Sequence, residues 1–172
     1  RSTPTFSTKY LGEKKYIGGA AIVAQHLKAA GAKVKFCSVL GKDSLSNLVK
    51  NEIKKSGIKD LTIIDDQRPT TEKKYYISDG YRLLKVDTVE NSPINNDILK
   101  KICTHIKNHK KGIVIFSDFR HGIFSEESIK SLKLSINKGV FKVGDSQVAS
   151  RWGNILDFSN FDLITPNERE VR

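Results

Sequence analysis

The chain has 172 residues, 38% of them hydrophobic and 28% charged, the balance of one ordinary globular domain and not of a collagenous, low-complexity or disordered segment. Lysine and arginine number 30 against 19 acidic residues, a formal charge of +11 that attracts anions such as phosphate, nucleic acid or an acidic membrane surface without choosing among them. No apolar run approaches the roughly 20 residues of a membrane-spanning helix and no segment has the order of a signal peptide, so a soluble, cytoplasmic protein is expected.

Residues 18–30 place Ile22, Val23, Leu27 and Ala30 on one helical stripe that stops at Gly31, predicting a well-buried helix behind Gly18-Gly19. Residues 33–39 then alternate Val34, Phe36 and Ser38 against Lys33, Lys35 and Cys37, a strand running into Gly41-Lys42-Asp43. Asp43 or Ser44 can cap the next helix, whose Leu45, Leu48, Val49 and Ile53 form one face before Gly57 ends it. A short strand follows at 61–64.

The period changes at 71–78 and 81–87, two β-rich runs joined by Asp79-Gly80, the strongest short hairpin signal. Helical spacing returns through Ile98, Leu99, Ile102 and Ile106, followed by a buried strand at 113–116 and a helix capped by Ser125 and closed by Gly139. Residues 140–143 and 162–165 read as two further strands, and Asn167 as the start of another helix. Strands alternating with helices predict an α/β fold with a mainly parallel sheet flanked by helices, the hairpin standing apart as a small antiparallel lid. Ligands in such sheets bind at the carboxyl ends of the strands, which directs attention to Gly41-Lys42-Asp43, Ser117-Asp118, Gly144-Asp145 and Pro166-Asn167.

Gly18-Gly19 lets backbone approach a ligand and aims helix N–H groups at its oxygens; the same pair equally serves as a plain turn into a packed helix. It is not a GxGxxG fingerprint. Asn167 and Glu170, three apart on a first helical turn, offer hard oxygens suited to the water shell of Mg²⁺ beside nucleotide phosphates, or simply cap that helix. His105 and His109, with Cys103 nearby, formally allow zinc, but lysines surround them and no third ligand is spaced to help, so they read as solvated-face histidines. Cys37 and Cys103 form no CxxC pair and fit a reducing compartment. The 23 lysines are scattered without aromatic interleaving, which argues against a nucleic-acid partner.

Taken in order, four stretches make the chain resemble the PfkB (ribokinase-like) carbohydrate kinase family, nearest its bacterial heptose-phosphate kinase branch. They are the run from Tyr16 to Ile58 with its di-glycine helix and Val39-Leu40-Gly41-Lys42-Asp43 turn, DGYRLLKVDTVE, FSDFRHGIFSEE and DLITPNEREV. The resemblance implies a single ribokinase-like domain over 1–172, with lid strands at about 1–17 and 68–90. It implies an ATP- and Mg²⁺-dependent kinase that phosphorylates a hydroxyl of a sugar or sugar phosphate, and a homodimer formed through the lid. Gly18 and Gly19 would lie against the sugar, Asp118 would face a sugar hydroxyl, Lys85 and Asp87 would belong to the lid, and Asn167 and Glu170 would order magnesium near ATP. Two positions depart from the pattern: Ile22 where an asparagine is usual, and His121 where the heptose branch tends to have lysine. The family's first strand would precede Arg1 and its Gly-Ala-Gly-Asp motif, with the catalytic base, would follow Arg172. The chain therefore reads as an internal fragment without a base, inactive alone; a non-catalytic sugar- or nucleotide-binding module of the same fold is the alternative.

Overall fold

The computed structural model describes residue 5 and residues 7–146 and 155–168. Helix α1 spans Ala20–Ala29, strands β1 and β2 span Lys35–Phe36 and Val39–Gly41, and α2 spans Ser44–Lys55. Strands β3 (Lys59–Asp60) and β4 (Ile63–Asp65) precede the hairpin of β5 (Glu72–Ser78) and β6 (Tyr81–Thr88). Then come α3 (Asn96–Lys107), β7 (Ile113–Ser117), α4 (Glu126–Leu134), β8 (Phe141–Asp145), a 3₁₀ turn at Ile155–Phe158 and β9 (Leu163–Ile164).

The helices begin where short polar side chains satisfy their first N–H groups. Asp43 accepts from Ser46 N at 2.8 Å, Asn95 from Ile98 N at 2.9 Å, and Ser125 and Ser128 form a reciprocal capping box. Helix α1 is the exception: Gly19, at φ 56°, supplies no side-chain cap and no acidic residue occupies the first turn.

The expected strand at 33–39 is real but interrupted at Cys37-Ser38, and its partner breaks at Leu61-Thr62. Backbone bonds from Lys59 to Val34, Leu61 to Phe36 and Ile63 to Ser38 carry the parallel pairing across both breaks. A second parallel sheet has the order β7-β8-β9. Ile63 of β4 and Phe116 of β7 share one buried cluster with Ile98, Ile102, Ile129, Leu132 and Phe158, so both sheets are built on a single core. A smaller cluster of Ala21, Ala24, Phe36, Ile53 and Ile58 packs α1 onto the first sheet.

In α1 the buried residues are Ala21 and Ala24, while Ile22 is 44% exposed and Ala30 is also exposed. The well-buried stripe expected through Ile22 is thus rotated: small side chains face the sheet because they let the helix lie close to it. No strand forms among the described residues before Gly18. In the second stretch expected to form the lid, about 68–90, β5 and β6 pair as an antiparallel ribbon. Asp79 at φ 49° and Gly80 at φ 82° give the two left-handed turn positions that a tight hairpin requires.

Candidate active site

The carboxyl ends of β7, β8 and β9 lie along one rim because the three strands run parallel. Asp118 N donates to Asp145 O at 2.9 Å, Thr165 N donates to Gly144 O at 3.1 Å, and the Thr165 hydroxyl donates to Asp145 Oδ1 at 2.9 Å. Asn167 follows two residues later on the same rim, and Glu168 begins the next helical turn. Glu170 lies outside the described residues.

Asp118 is 2% exposed, which is unusual for a carboxylate without a strong partner. Its partner is two residues away: Arg120 N donates to Oδ1 at 2.7 Å and the guanidinium pairs with Oδ2 at 3.0 Å. Burial pushes this carboxyl above its ordinary value against the pull of Arg120, with Asp157 and Asp145 adding to the rise. Arg120 adopts φ 60°, a left-handed conformation that costs a non-glycine residue free energy, and Gly122 follows at φ 85°. The 118–122 loop is therefore held in a specific, strained shape around a buried acid.

Gly19 packs against this loop. A Cβ built there would lie 3.7 Å from the Phe119 ring, so the uncapped end of α1 and the residue after Asp118 are in contact. Gly18, Gly19, Ser117, Asp118 and His121 line the polar end of one large cavity of about 2360 Å³. Small-molecule sites are typically about 300–1,000 Å³, so a ligand of that class fills only part of this cavity. Elsewhere the cavity includes an apolar slot between Phe36, Val39, Ile113 and Ile115, along the runs of β1-β2 and β7 that have no second strand partner among the described residues, with lysines and His105 and His109 also on its wall. Ile22 does not line the cavity, so its departure from the family pattern leaves the lining unaltered.

The lid faces the same mouth. Lys73 lies opposite Asp87, and Tyr75 opposite Lys85, so all four share one face of the ribbon. His121 feels Lys73 and Asp87 electrostatically; burial first, then Lys73, hold its imidazole below the ordinary value while Asp87 opposes them. Its Nδ1 is 3.0 Å from Asn91 Oδ1. Lys85 and Asp87 are paired with each other at 2.5 Å, and that bond raises the lysine's pKa. All of β5, Lys73 and Tyr75 included, lines the cavity whereas Lys85 and Asp87 do not, so the ribbon residues on its wall are ones sequence reasoning passed over.

Gly18, Gly19 and Asp118 thus meet at one mouth with the lid beside it, while Asn167 stands two strands along the rim and off the cavity wall. The donors there, the Asp145 carboxylate and the Asn167 amide, are hard oxygens of the kind Mg²⁺ takes through its waters. No three His, Cys, Asp or Glu side chains converge on a common metal position among the described residues. His105 and His109 are half-buried on the wall of the cavity and not on a solvated face, with His109 Nε2 buried and lacking a hydrogen-bond partner. Also among the described residues, no helix is long and apolar enough to cross a membrane.

Comparison with known proteins gives a consistent result. The family model described as "pfkB family carbohydrate kinase" matches residues 11–172. The chain is 28% identical over 160 residues to the bifunctional protein HldE of Rhodopseudomonas palustris (strain BisB5), covering 90% of this chain and 32% of that protein. It is 31% identical over 166 residues to HldE of Helicobacter pylori (strain J99), covering 92% and 34%. The chain therefore spans about a third of the length of these curated relatives. Phosphofructokinase-2 from Escherichia coli in complex with fructose-6-phosphate superposes with a TM-score of 0.67 at 16% identity, over 90% of this chain and 50% of that one. The fold is ribokinase-like.

Proposed function

The chain belongs to the pfkB carbohydrate kinase family, and from that membership we propose that it forms the sugar-facing part of a kinase transferring the terminal phosphoryl group of ATP to a hydroxyl of a sugar or sugar phosphate, of the heptose-phosphate kind. The observation that carries this reading is the meeting of Gly19, the Asp118 loop and the lid at one polar mouth.

The first turn of α1 has no side-chain cap, and its positive end favours negative charge on substrate oxygens there. Asp118, fixed by Arg120, is a ready acceptor for a sugar hydroxyl that replaces part of that ion pair. The ribbon carrying Lys73, Tyr75, Lys85 and Asp87 closes over the mouth, excluding water so that the phosphoryl group passes to sugar and not to solvent. Asn167 would hold part of the water shell of Mg²⁺ along the rim, a role the family resemblance extends to Glu170, and the ion would supply charge neutralisation for the phosphates. The bond to the terminal phosphorus passes from the bridging oxygen of ADP to the sugar oxygen, and the hydroxyl proton goes to a base.

Among the described residues no carboxylate suits that base. Asp118 is locked by Arg120, and Asp145 accepts the Thr165 hydroxyl. We therefore assign proton abstraction to polypeptide beyond Arg172, and the strand that fills the apolar slot between β2 and β7 to polypeptide ahead of Arg1. A homodimer built through the lid belongs to the same reading, supported by a ribbon whose β6 residues are all exposed.

The test is a coupled assay of ADP release with heptose 7-phosphate, fructose 6-phosphate and unphosphorylated sugars, run on this chain and on the full-length protein. Sugar-dependent turnover by the full-length protein alone is expected. Turnover by the 172-residue chain refutes the assignment of the base, and no turnover by either refutes the kinase reading.

A further inference from the structure

Arg68 lies on the outgoing leg of the lid, between β4 and β5, with its side chain only 8% exposed. Its Nε donates to Asp65 Oδ2 at 2.8 Å. The two terminal nitrogens reach carbonyls on two other segments: Nη2 lies 3.4 Å from Ser92 O and 3.5 Å from Pro93 O on the returning leg, and Nη1 lies 3.4 Å from His121 O in the Asp118 loop. A planar guanidinium with five donors in a fixed fork can serve three segments at once; an ammonium on a flexible stem cannot hold that geometry.

The three segments are also welded beside Arg68. Ile94 N donates to Gly122 O at 3.0 Å, and the Gly122 backbone approaches Ser92 O so closely that any Cβ at this position would overlap it. On the outgoing leg, Thr70 is buried and held by Asp43 and by Gly41 N. Beyond these ties the character changes: β6 is exposed along its whole length and β5 at four of its seven residues.

We propose that Arg68 is a positioning residue that joins both legs of the lid and the Asp118 loop into one rigid base, so that the ribbon pivots at Thr71 and at 88–90 and not where it leaves β4. This rests on the reading above for the importance of closure, but the base itself is a property of the fold. Loss of the fork releases the returning leg and the strained Arg120-containing loop together, although they are about 30 residues apart, as the His121 to Asn91 contact spans.

The test uses the full-length protein with Arg68→Lys, which keeps a cation beside Asp65 but not the fork, and with the charge-free pair Arg68→Met plus Asp65→Asn in case the lysine variant does not fold. Lys100→Ala, on the exposed face of α3, is the control. Hydrogen exchange at 89–92 and 119–122 is expected to rise together by about tenfold, what the loss of charged hydrogen bonds predicts, with α2 and α4 unchanged. The KM for sugar is expected to rise with kcat and the KM for ATP little altered. Exchange that rises in only one of the two segments, in neither, or equally throughout α2 and α4 overturns the proposal. If the wild-type protein turns over no sugar, the kinase reading fails while the exchange result still decides the role of Arg68.

Discussion

Thr70 and Asp43 grip each other through two hydrogen bonds: the Thr70 N–H donates to Asp43 Oδ2 and the hydroxyl to Oδ1, both at 2.8 Å. The same hydroxyl oxygen accepts Gly41 N at 2.9 Å, so one buried threonine fastens the root of the lid to the turn after β2. Thr70→Ala leaves the Gly41 N–H without its acceptor and Asp43 Oδ1 with the Ser46 N–H but not the hydroxyl, and is expected to cost about 1–3 kcal/mol in urea unfolding. Thr70→Ser keeps the hydroxyl and is expected to retain most of that stability.

Acid should loosen the same root. Burial alone would raise the Asp43 and Asp65 carboxyls, but N–H donors from Thr70 and Ser46 in one case, and from Gln67 with the Arg68 guanidinium in the other, outweigh it and hold both below the ordinary 3.8. Their stabilisation is complete above that unfolded-state value and is lost as pH falls through the lower folded-state value. The urea midpoint is expected to drop between about pH 4 and 2, with a shallower drop in Asp43→Asn. Asp118, raised by burial, has the opposite sign, so Asp118→Asn should leave the acid loss in place.

At Gly19 a Cβ has room beside Phe119, yet φ is 56°. Gly19→Ala is expected to cost about 1–2 kcal/mol through left-handed strain alone, read as a melting temperature lower by several degrees. Gly19→Val adds a branched side chain at the mouth and should also lower sugar affinity.

Gly144 faces Phe158 across the second sheet, and a Cβ there would fall 2.7 Å from the ring. Because Phe158 is 2% exposed and fixed among Phe124 and Phe161, it has nowhere to retreat. Gly144→Ala is expected to destabilise by about 1–3 kcal/mol in denaturant titration.

Asp118→Asn preserves shape but removes the charge that holds Arg120. In the full-length protein kcat/KM for sugar is expected to fall roughly a hundredfold, the scale of a misplaced substrate, with ATP affinity unchanged. Unchanged kcat/KM removes Asp118 from the site.

Much of this arrangement is written locally in the chain. The Asp79-Gly80 turn, the caps Asp43, Asn95 and Ser125, and the strand at 113–117 follow from interactions within a few residues. What sequence could not supply is pairing across distance. Asp43 reads as a helix cap, but half of its bonding goes to Thr70, 27 residues on. Arg68 reads as one more surface cation, since its carbonyl partners come from 24 to 53 residues away and carbonyls leave no mark on composition. Lys73 and Tyr75 share a ribbon face with Lys85 and Asp87, and nothing local in the sequence says which of two facing strands lies along the cavity. The breaks at Cys37-Ser38 and Leu61-Thr62 carry no glycine or proline to announce them.

The one-sided pairing of β2 and β7 among the described residues has a further consequence for handling the chain by itself. Open strand edges beside apolar side chains such as Ile113, 57% exposed, are templates for edge-to-edge stacking of copies. The charge of +11 opposes that stacking through mutual repulsion, which dissolved ions screen over about 8 Å at physiological strength. Turbidity on adding salt should therefore rise where most proteins of this size stay clear, and a strand-forming peptide that occupies the open edges should keep the solution clear.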